Sequence, residues 1–207
     1  MGLLGLLVNN PVAFILIAIP LMYAIIFHEL AHGYVAYRMG DPTAKHLGRL
    51  SLNPLKHLDP LGTLMLFLVG FGWAKPVPVN FGNIQNYRKG MILVSSAGII
   101  VNMILAFLAL LLYSFLDPPQ SSMLGLMLFF FAKINIILAA FNLIPIPPLD
   151  GSKILLGFFP AGVQAIMLRL ERFGFLIVIA LLYFGVLDPV IDFLQMVILS
   201  LINVMLP

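Results

Sequence analysis

The 207-residue chain contains no cysteine. That absence excludes a disulfide framework, a thiolate zinc site and a cysteine nucleophile. Charge is almost as scarce: 9% of residues are Asp, Glu, Lys or Arg, while 62% are hydrophobic. A soluble domain carries about 25% charged and roughly 45–50% apolar residues, and a water-facing surface cannot be built from so few charges. The composition therefore places the chain in a membrane. Its formal net charge of +3 is small and scattered, which argues against a nucleic-acid partner. The start of the chain lacks a basic region and a small-residue cleavage site, so its first apolar stretch is expected to remain in the mature protein.

Charges punctuate the apolar runs. Met1 to His28 and Gly90 to Leu116 contain none, and Ser121 to Leu143 is broken only by Lys133. Phe173 to Leu187 and Phe193 to Pro207 are again uncharged. A span needs about 20 residues, so helices are expected at about 10–39, 90–116, 121–144, 163–187 and 189–206. The run from Leu61 to Phe71 is too short to cross. Taken as Pro60 to Ala74 it reaches only ~22 Å, against a hydrocarbon core of about 30 Å. Read as re-entrant, it leaves Arg38, Lys45, Arg49, Lys56, Lys75, Arg88 and Lys89 on one side of the membrane. Ten of the eleven cationic residues then lie in the cytoplasm, as the positive-inside rule requires. The expected fold is an all-α polytopic membrane protein with about five transmembrane helices, one re-entrant segment and a short extended (β) membrane-associated stretch. Its N-terminus lies outside and its C-terminus inside.

His28-Glu29-Leu30-Ala31-His32 is an H-E-x-x-H pentapeptide. Positions i and i+4 share one helix face, so both imidazoles can reach one ion, with Glu29 one step round the helix. A zinc held by three protein ligands keeps a fourth position for water, and a nearby glutamate can take that water's proton. An ionised carboxylate near the inner end of an otherwise uncharged helix is expensive and reads as functional. The third ligand should come from another helix end, and there are eight acidic residues to choose from. Asp41 and Asp59 fall in the basic region, and Asp117, Asp188 and Asp192 fall on the far side. Glu171 is flanked by Arg169 and Arg172. Asp150 remains, in Asn142-Leu-Ile-Pro-Ile-Pro-Pro-Leu-Asp-Gly151, where three prolines and a glycine break a helix at the depth of the first helix's end. Irregular backbone at that depth is tolerated only when buried in protein or lining a cavity. Asp150 is therefore the candidate third ligand, whereas His46 and His57, in the basic loop, are not expected to touch a metal.

Further stretches carry a resemblance. These are Gly48-Arg-Leu-Ser-Leu-Asn-Pro54 with His57-Leu-Asp-Pro60, Gly72-Trp-Ala-Lys-Pro-Val-Pro-Val79, Gly98-Ile-Ile-Val-Asn102 and Phe141-Asn-Leu-Ile-Pro-Ile-Pro-Pro-Leu-Asp-Gly151. With the pentapeptide, they make residues 28 to about 155 similar to the site-2 protease (peptidase M50) family of intramembrane zinc metalloproteases. The minimal prokaryotic form, without PDZ or CBS domains, is the nearest match. The resemblance implies one membrane-embedded protease domain over 1–207, with a catalytic core at about 10–155 and peripheral helices at about 163–206. It implies one Zn2+ per chain held by His28, His32 and Asp150, with Glu29 as the base. It implies a membrane-spanning protein or peptide substrate, cut within or near its transmembrane segment in regulated intramembrane proteolysis. The expected location is a prokaryotic cytoplasmic membrane, with the active site toward the cytoplasm.

Asn102 resembles a family residue placed near the catalytic water or substrate. Its other reading is packing through Gly98, with Asn102 hydrogen-bonded across helices. Asn142 either surrounds the site or caps a helix end. Lys133 matches no motif and is expected to snorkel or to face a wet cavity. A transmembrane substrate must unwind before its peptide bonds can be cut. Pro76, Val77, Pro78, Val79 and Asn80 are extended by propensity, and the prolines confine them to a sheet edge. They are expected either to pair with the unwound substrate by strand addition or to form a rigid loop over the site. Water should arrive from the basic loops between residues 40 and 90. An ion-binding transporter or a non-proteolytic binder of membrane clients is the alternative function. The lack of an internal repeat weighs against the first, and the intact His28, Glu29, His32 and Asp150 against the second. Nothing in the sequence sets an oligomeric state.

Overall fold

The computed structural model describes residues 3–69 and 72–206. A short helix, α1 (Leu3–Asn9), leads into α2 (Pro11–Arg38). Pro11 sits in the first turn of α2, where its missing N–H is no loss, and the Asn10 side chain accepts from the Ala13 N–H. After the single turn α3 (Thr43–His46) comes α4 (Pro60–Val69), whose first turn is capped by Asp59 through the Gly62 N–H at 2.7 Å. Asn86 caps α5 (Tyr87–Leu116) and Ser122 caps α6 (Met123–Leu143). The chain ends with α7 (Asp150–Leu156), α8 (Ala161–Tyr183) and α9 (Asp188–Met205).

Among the described residues, four helices are long and apolar enough to cross a membrane: α2, α5, α6 and α9. They fall on four of the expected spans. The fifth, expected at 163–187, corresponds to α8, which stops at Tyr183 before a turn through Gly185 at φ +68°. Arg169, Glu171 and Arg172 lie in its first half, so only its second half is a continuous apolar run.

Helices α2, α5 and α6 pack against one another through small residues. Ala24, Gly33 and Ala36 of α2, Ala97, Gly98 and Ala106 of α5, and Ala132, Ala139 and Ala140 of α6 are all buried. In lipid there is no hydrophobic drive between helices, so close backbone approach through small side chains has to supply the attraction. Helix α9 closes one side, setting Ile198 and Ile202 against Ile99, Ala106, Ile136, Ala139 and Ala140. Val178 of α8 and Leu187 join Ile144 and Leu149 in a second cluster, which fixes the loop between α6 and α7. The outside of the bundle is apolar: Tyr183 is 84% and Val204 86% exposed.

The polar segment between α2 and α5 is tied by buried groups. The fully buried Asp41 carboxylate accepts from the Thr43 N–H and hydroxyl, the Asn80 N–H and the Asn83 amide. Leu58 and Ala74 form an antiparallel bridge, and the Lys75 N–H donates to the His57 carbonyl at 2.8 Å. The chain thus leaves into α4 and comes back to the point of departure. Among the described residues, Pro76–Asn80 joins no strand ladder. Acidic side chains hold it instead, Glu29 at the Val77 N–H and Asp41 at the Asn80 N–H.

Candidate metal centre and cleft

The i, i+4 spacing of His28 and His32 on α2 does what helix geometry demands, placing the two rings edge to face with centroids 4.6 Å apart. Asp150 reaches them from the start of α7. Its Oδ2 lies 3.1 Å from His28 Nε2 and 3.0 Å from His32 Nε2. One ligand atom from each of the three residues falls within 4.8 Å of the others.

The far side of each ring fixes its tautomer. His28 Nδ1 meets Asn102 Oδ1 at 2.5 Å, and His32 Nδ1 meets the Val94 carbonyl at 2.7 Å. Both partners are acceptors, since the Asn102 amide group is already donating to Asn135 Oδ1 at 2.7 Å and to the Ala24 carbonyl at 3.3 Å. Nδ1 therefore donates in both rings, and in its neutral form each imidazole turns an Nε2 lone pair toward the same carboxylate oxygen. In that form three acceptors face one another, an arrangement that a cation between them satisfies. Ligand atoms around a tetrahedral zinc at about 2.0–2.1 Å stand about 3.3 Å apart, close to what is seen here. The Nδ1 hydrogen bonds are the outer support that orients histidine ligands. The donor set fits one zinc ion.

Two glycines make room for this arrangement. A Cβ on Gly98 of α5 would lie 2.5 Å from both His28 Cε1 and His32 Nε2. A Cβ on Gly151 would lie 2.2 Å from the Leu143 carbonyl oxygen, so the residue after Asp150 has to be glycine for α7 to start against the end of α6.

Glu29 is half-buried beside the histidines, and its Oε2 accepts from the Val77 N–H at 2.6 Å. A cleft of about 260 Å³ contains His28, Glu29, His32 and Asp150, with Pro76, Val77 and Val79 along one wall. Asn142 lines the same cleft, its amide donating back to the Leu138 carbonyl. A second, largely apolar cavity shares His28, Glu29, Asn142 and Pro148 with the cleft. Through Gly72, Trp73 and Phe141 it continues toward a third, of about 540 Å³. Trp73 stacks edge-on against Phe175 of α8 at 5.0 Å, and so lines this route rather than the outer surface.

Sequence reasoning brought His28, Glu29, His32, Asp150, Asn142, Pro76, Val77 and Val79 to one place, whereas Pro78 and Asn80 of the same stretch do not line the cleft. It was less specific for Asn102, which sits behind His28 with no exposed surface and bonds across helices. Asn135 of α6, the fully buried partner of Asn102, was missed. The signal was available, because an amide in the middle of an apolar helix must find a partner. Lys153 was missed as well; it lines the cleft and pairs with Glu171 of α8 at 3.4 Å. His46 is exposed, and His57 is buried with its Nε2 on the Ser51 carbonyl at 2.7 Å and no metal-ligating side chain grouped with it among the described residues. Lys133 is exposed on α6 and lines neither the cleft nor the two cavities that adjoin it.

Comparison with known proteins gives a consistent result. The model of peptidase family M50 matches residues 118–185, which include the Asp150 loop. The chain is 45% identical over 172 residues to "Putative zinc metalloprotease YwhC" of Bacillus subtilis, covering 80% of this chain and 78% of that one. It is 31% identical over 174 residues to "Putative zinc metalloprotease Rip2" of Mycolicibacterium smegmatis, covering 82% and 67%. "Zinc metalloprotease MJ0392" of Methanocaldococcus jannaschii is 27% identical over 149 residues, 72% of this chain and 36% of that one. No solved structure matches.

Proposed function

This chain belongs to peptidase family M50, the site-2 type of zinc metalloprotease, and from that premise we propose that it cuts peptide bonds within or near the transmembrane segments of membrane-anchored substrates, in regulated intramembrane proteolysis. One observation carries the reading: two Nε2 lone pairs and a carboxylate oxygen converge beside a glutamate in a cleft that opens onto an apolar route. His28, His32 and Asp150 would hold the zinc. Bound there, zinc supplies Lewis acidity toward a carbonyl oxygen and toward water.

The other steps belong to the chain's own residues. Glu29 takes the proton of the attacking water and hands it to the departing amine. The Val77 N–H holds one oxygen of that carboxylate and leaves the other free for the proton. Asn102 keeps the proton of His28 on Nδ1, away from the ligand atom. The stretch from Pro76 to Asn80, of which Pro76, Val77 and Val79 line the cleft, is the pairing edge for an unwound substrate. With two N–H groups missing at the prolines and a third given to Glu29, this edge offers mainly carbonyls, to which a substrate's own N–H groups donate.

In the proposed topology α2, α5, α6, α8 and α9 cross a prokaryotic cytoplasmic membrane, and the site faces the cytoplasm. The segment through α4 is re-entrant. At about 15 Å it is half a bilayer long, and the Leu58–Ala74 bridge supports a return to the same side. Residues 1–207 form one domain, with α8 and α9 as a peripheral pair seated on the catalytic core.

The test is zinc content and turnover of a membrane-anchored reporter by the purified full chain. Wild type should carry about one zinc and cut, Glu29→Gln should keep the metal and lose turnover, and Asp150→Ala should lose both. A Glu29→Gln variant that still cuts, or a folded wild type that holds no zinc, would overturn the reading. Val79→Pro addresses the edge, because it removes a donor without touching the Glu29 contact. Unchanged turnover in Val79→Pro would end the strand-pairing idea.

A further inference from the structure

We propose that the outer face between α2 and α5 is a binding site for one anionic phospholipid, with its headgroup at the helix ends and an acyl chain in the groove below. Two cavities on this face share Leu93. The one at the helix ends, of about 530 Å³, is lined by Tyr37, Arg38, Gly40, Gln85, Asn86 and Lys89. The one beneath it, of about 670 Å³, is an apolar groove between Phe27, Ala31 and Tyr34 of α2 and Leu93, Ile100 and Ile104 of α5.

Charge identifies the headgroup. Arg38 and Lys89 come from different helices and face one cavity, and among the described residues neither forms an ion pair and no acidic side chain lines either cavity. Lys45 stands beside them, donating to the Tyr37 hydroxyl at 2.8 Å. The acid nearest in sequence, Asp41, is buried and consumed by Thr43, Asn80 and Asn83. Uncompensated cations at the mouth of an apolar groove match a phosphodiester joined to a hydrocarbon tail.

Length identifies the tail. From Leu93 to Ile104 the groove follows α5 for about 16 Å, close to half of a roughly 30 Å hydrocarbon core and so to one leaflet. Tyr34 and Tyr37 mark the level where aromatic rings meet headgroups. Tyr34, Leu93, Ile100 and Ile104 are all exposed, so the groove is open to the bilayer along its length. It shares no residue with the cleft that holds His28, His32 and Asp150, which favours a lipid over a peptide on its way to that site.

The test uses the zinc-loaded full chain in detergent, with dioleoyl phosphatidylglycerol and dioleoyl phosphatidylcholine as probes and native mass spectrometry as the readout. Each basic residue at an anionic membrane surface is worth about fivefold in binding, so wild type should retain one phosphatidylglycerol with roughly thirtyfold preference. The double variant Arg38→Gln/Lys89→Gln should lower that preference below about threefold with its zinc content unchanged. Ile100→Trp, which fills the groove, should weaken both lipids together. Glycerophosphoglycerol, the headgroup without tails, should fail to displace the lipid. Equal retention of the two lipids by wild type would overturn the proposal, as would a double variant that keeps the preference. Displacement by the headgroup alone, or one-for-one by a neutral transmembrane peptide, would also overturn it.

Discussion

Replacing Gly98 by alanine isolates the geometry of the metal centre from the stability of its helix. By intrinsic propensity the change should help, since alanine is favoured over glycine in a helix interior by about 0.8–1.0 kcal/mol. The added Cβ, however, would stand 2.5 Å from His28 Cε1 and His32 Nε2, and 2.6 Å from His28 Nε2. Carbon contacts settle at about 3.5–4.0 Å, so the two rings must retreat by roughly 1 Å. Metal sites tolerate displacements of only about ±0.2 Å in ligand distance. The retreat also strains the Nδ1 hydrogen bonds to Asn102 and Val94, which have no slack at 2.5 and 2.7 Å. Overpacking of this kind costs about 1–3 kcal/mol, more than the helix gains. Loss of the histidines' outer support lowers metal affinity by about 10–100-fold. The expected result is a Gly98→Ala protein that without metal melts only a few degrees below wild type, in line with a net cost of at most about 2 kcal/mol, yet binds zinc at least tenfold more weakly in chelator competition and cuts correspondingly less. Gly162→Ala is the control, because nothing lies within 4 Å of the Cβ it would add. A Gly98→Ala variant with zinc affinity and turnover within twofold of wild type would refute the argument that this backbone is shaped around the two rings.

Three further outcomes follow from the same contacts. Asn135→Ala leaves the Asn102 amide with only the Ala24 carbonyl, so zinc affinity should fall by about tenfold while helix content in circular dichroism stays that of wild type. Burial opposes ionisation of Asp41, but donors from the Thr43 and Asn83 side chains and from the Asn80 and Thr43 backbone outweigh it and hold the carboxyl below its usual range. A depressed carboxyl contributes stability above its unfolded pKa of about 3.9 and loses it as pH falls through the folded value. Melting temperature without metal should therefore decline below about pH 4 in wild type, and Asp41→Asn should melt lower at pH 7 with a flatter acid limb. The half-exposed Lys153–Glu171 pair should be worth less than about 1 kcal/mol, so Glu171→Gln should leave the melting temperature within a few degrees.

How far the sequence could be read depended on whether a feature is local or lies between helices. The H-E-x-x-H face needs only the period of one helix, and Asp150 needs only the argument that broken backbone at membrane depth must line something. Both lead to the residues whose ligand atoms meet in the structure. The bounds of the four long apolar helices were legible for the same reason, because charges end apolar runs. The support of the site is a relation among three helices. From the sequence, Asn102 could equally face substrate or bond across helices. The choice is made by Ala24, His28 and Asn135, which come from α2 and α6 and crowd its amide from every side. Helix α8 shows the limit from the other direction. Its charged first half and apolar second half read as one crossing helix with an interfacial start. What that start does becomes visible only when Glu171 meets Lys153, three residues past Asp150, and Gly174 lets the helix lie on Pro147, where a Cβ would come within 2.3 Å of the carbonyl oxygen. The peripheral helix is thus seated on the loop that delivers the third ligand. A change in how α8 packs therefore reaches the Asp150 loop directly, with Gly174 against Pro147 as one of the contacts, beside Phe175 on Trp73, through which the outer helices bear on the site.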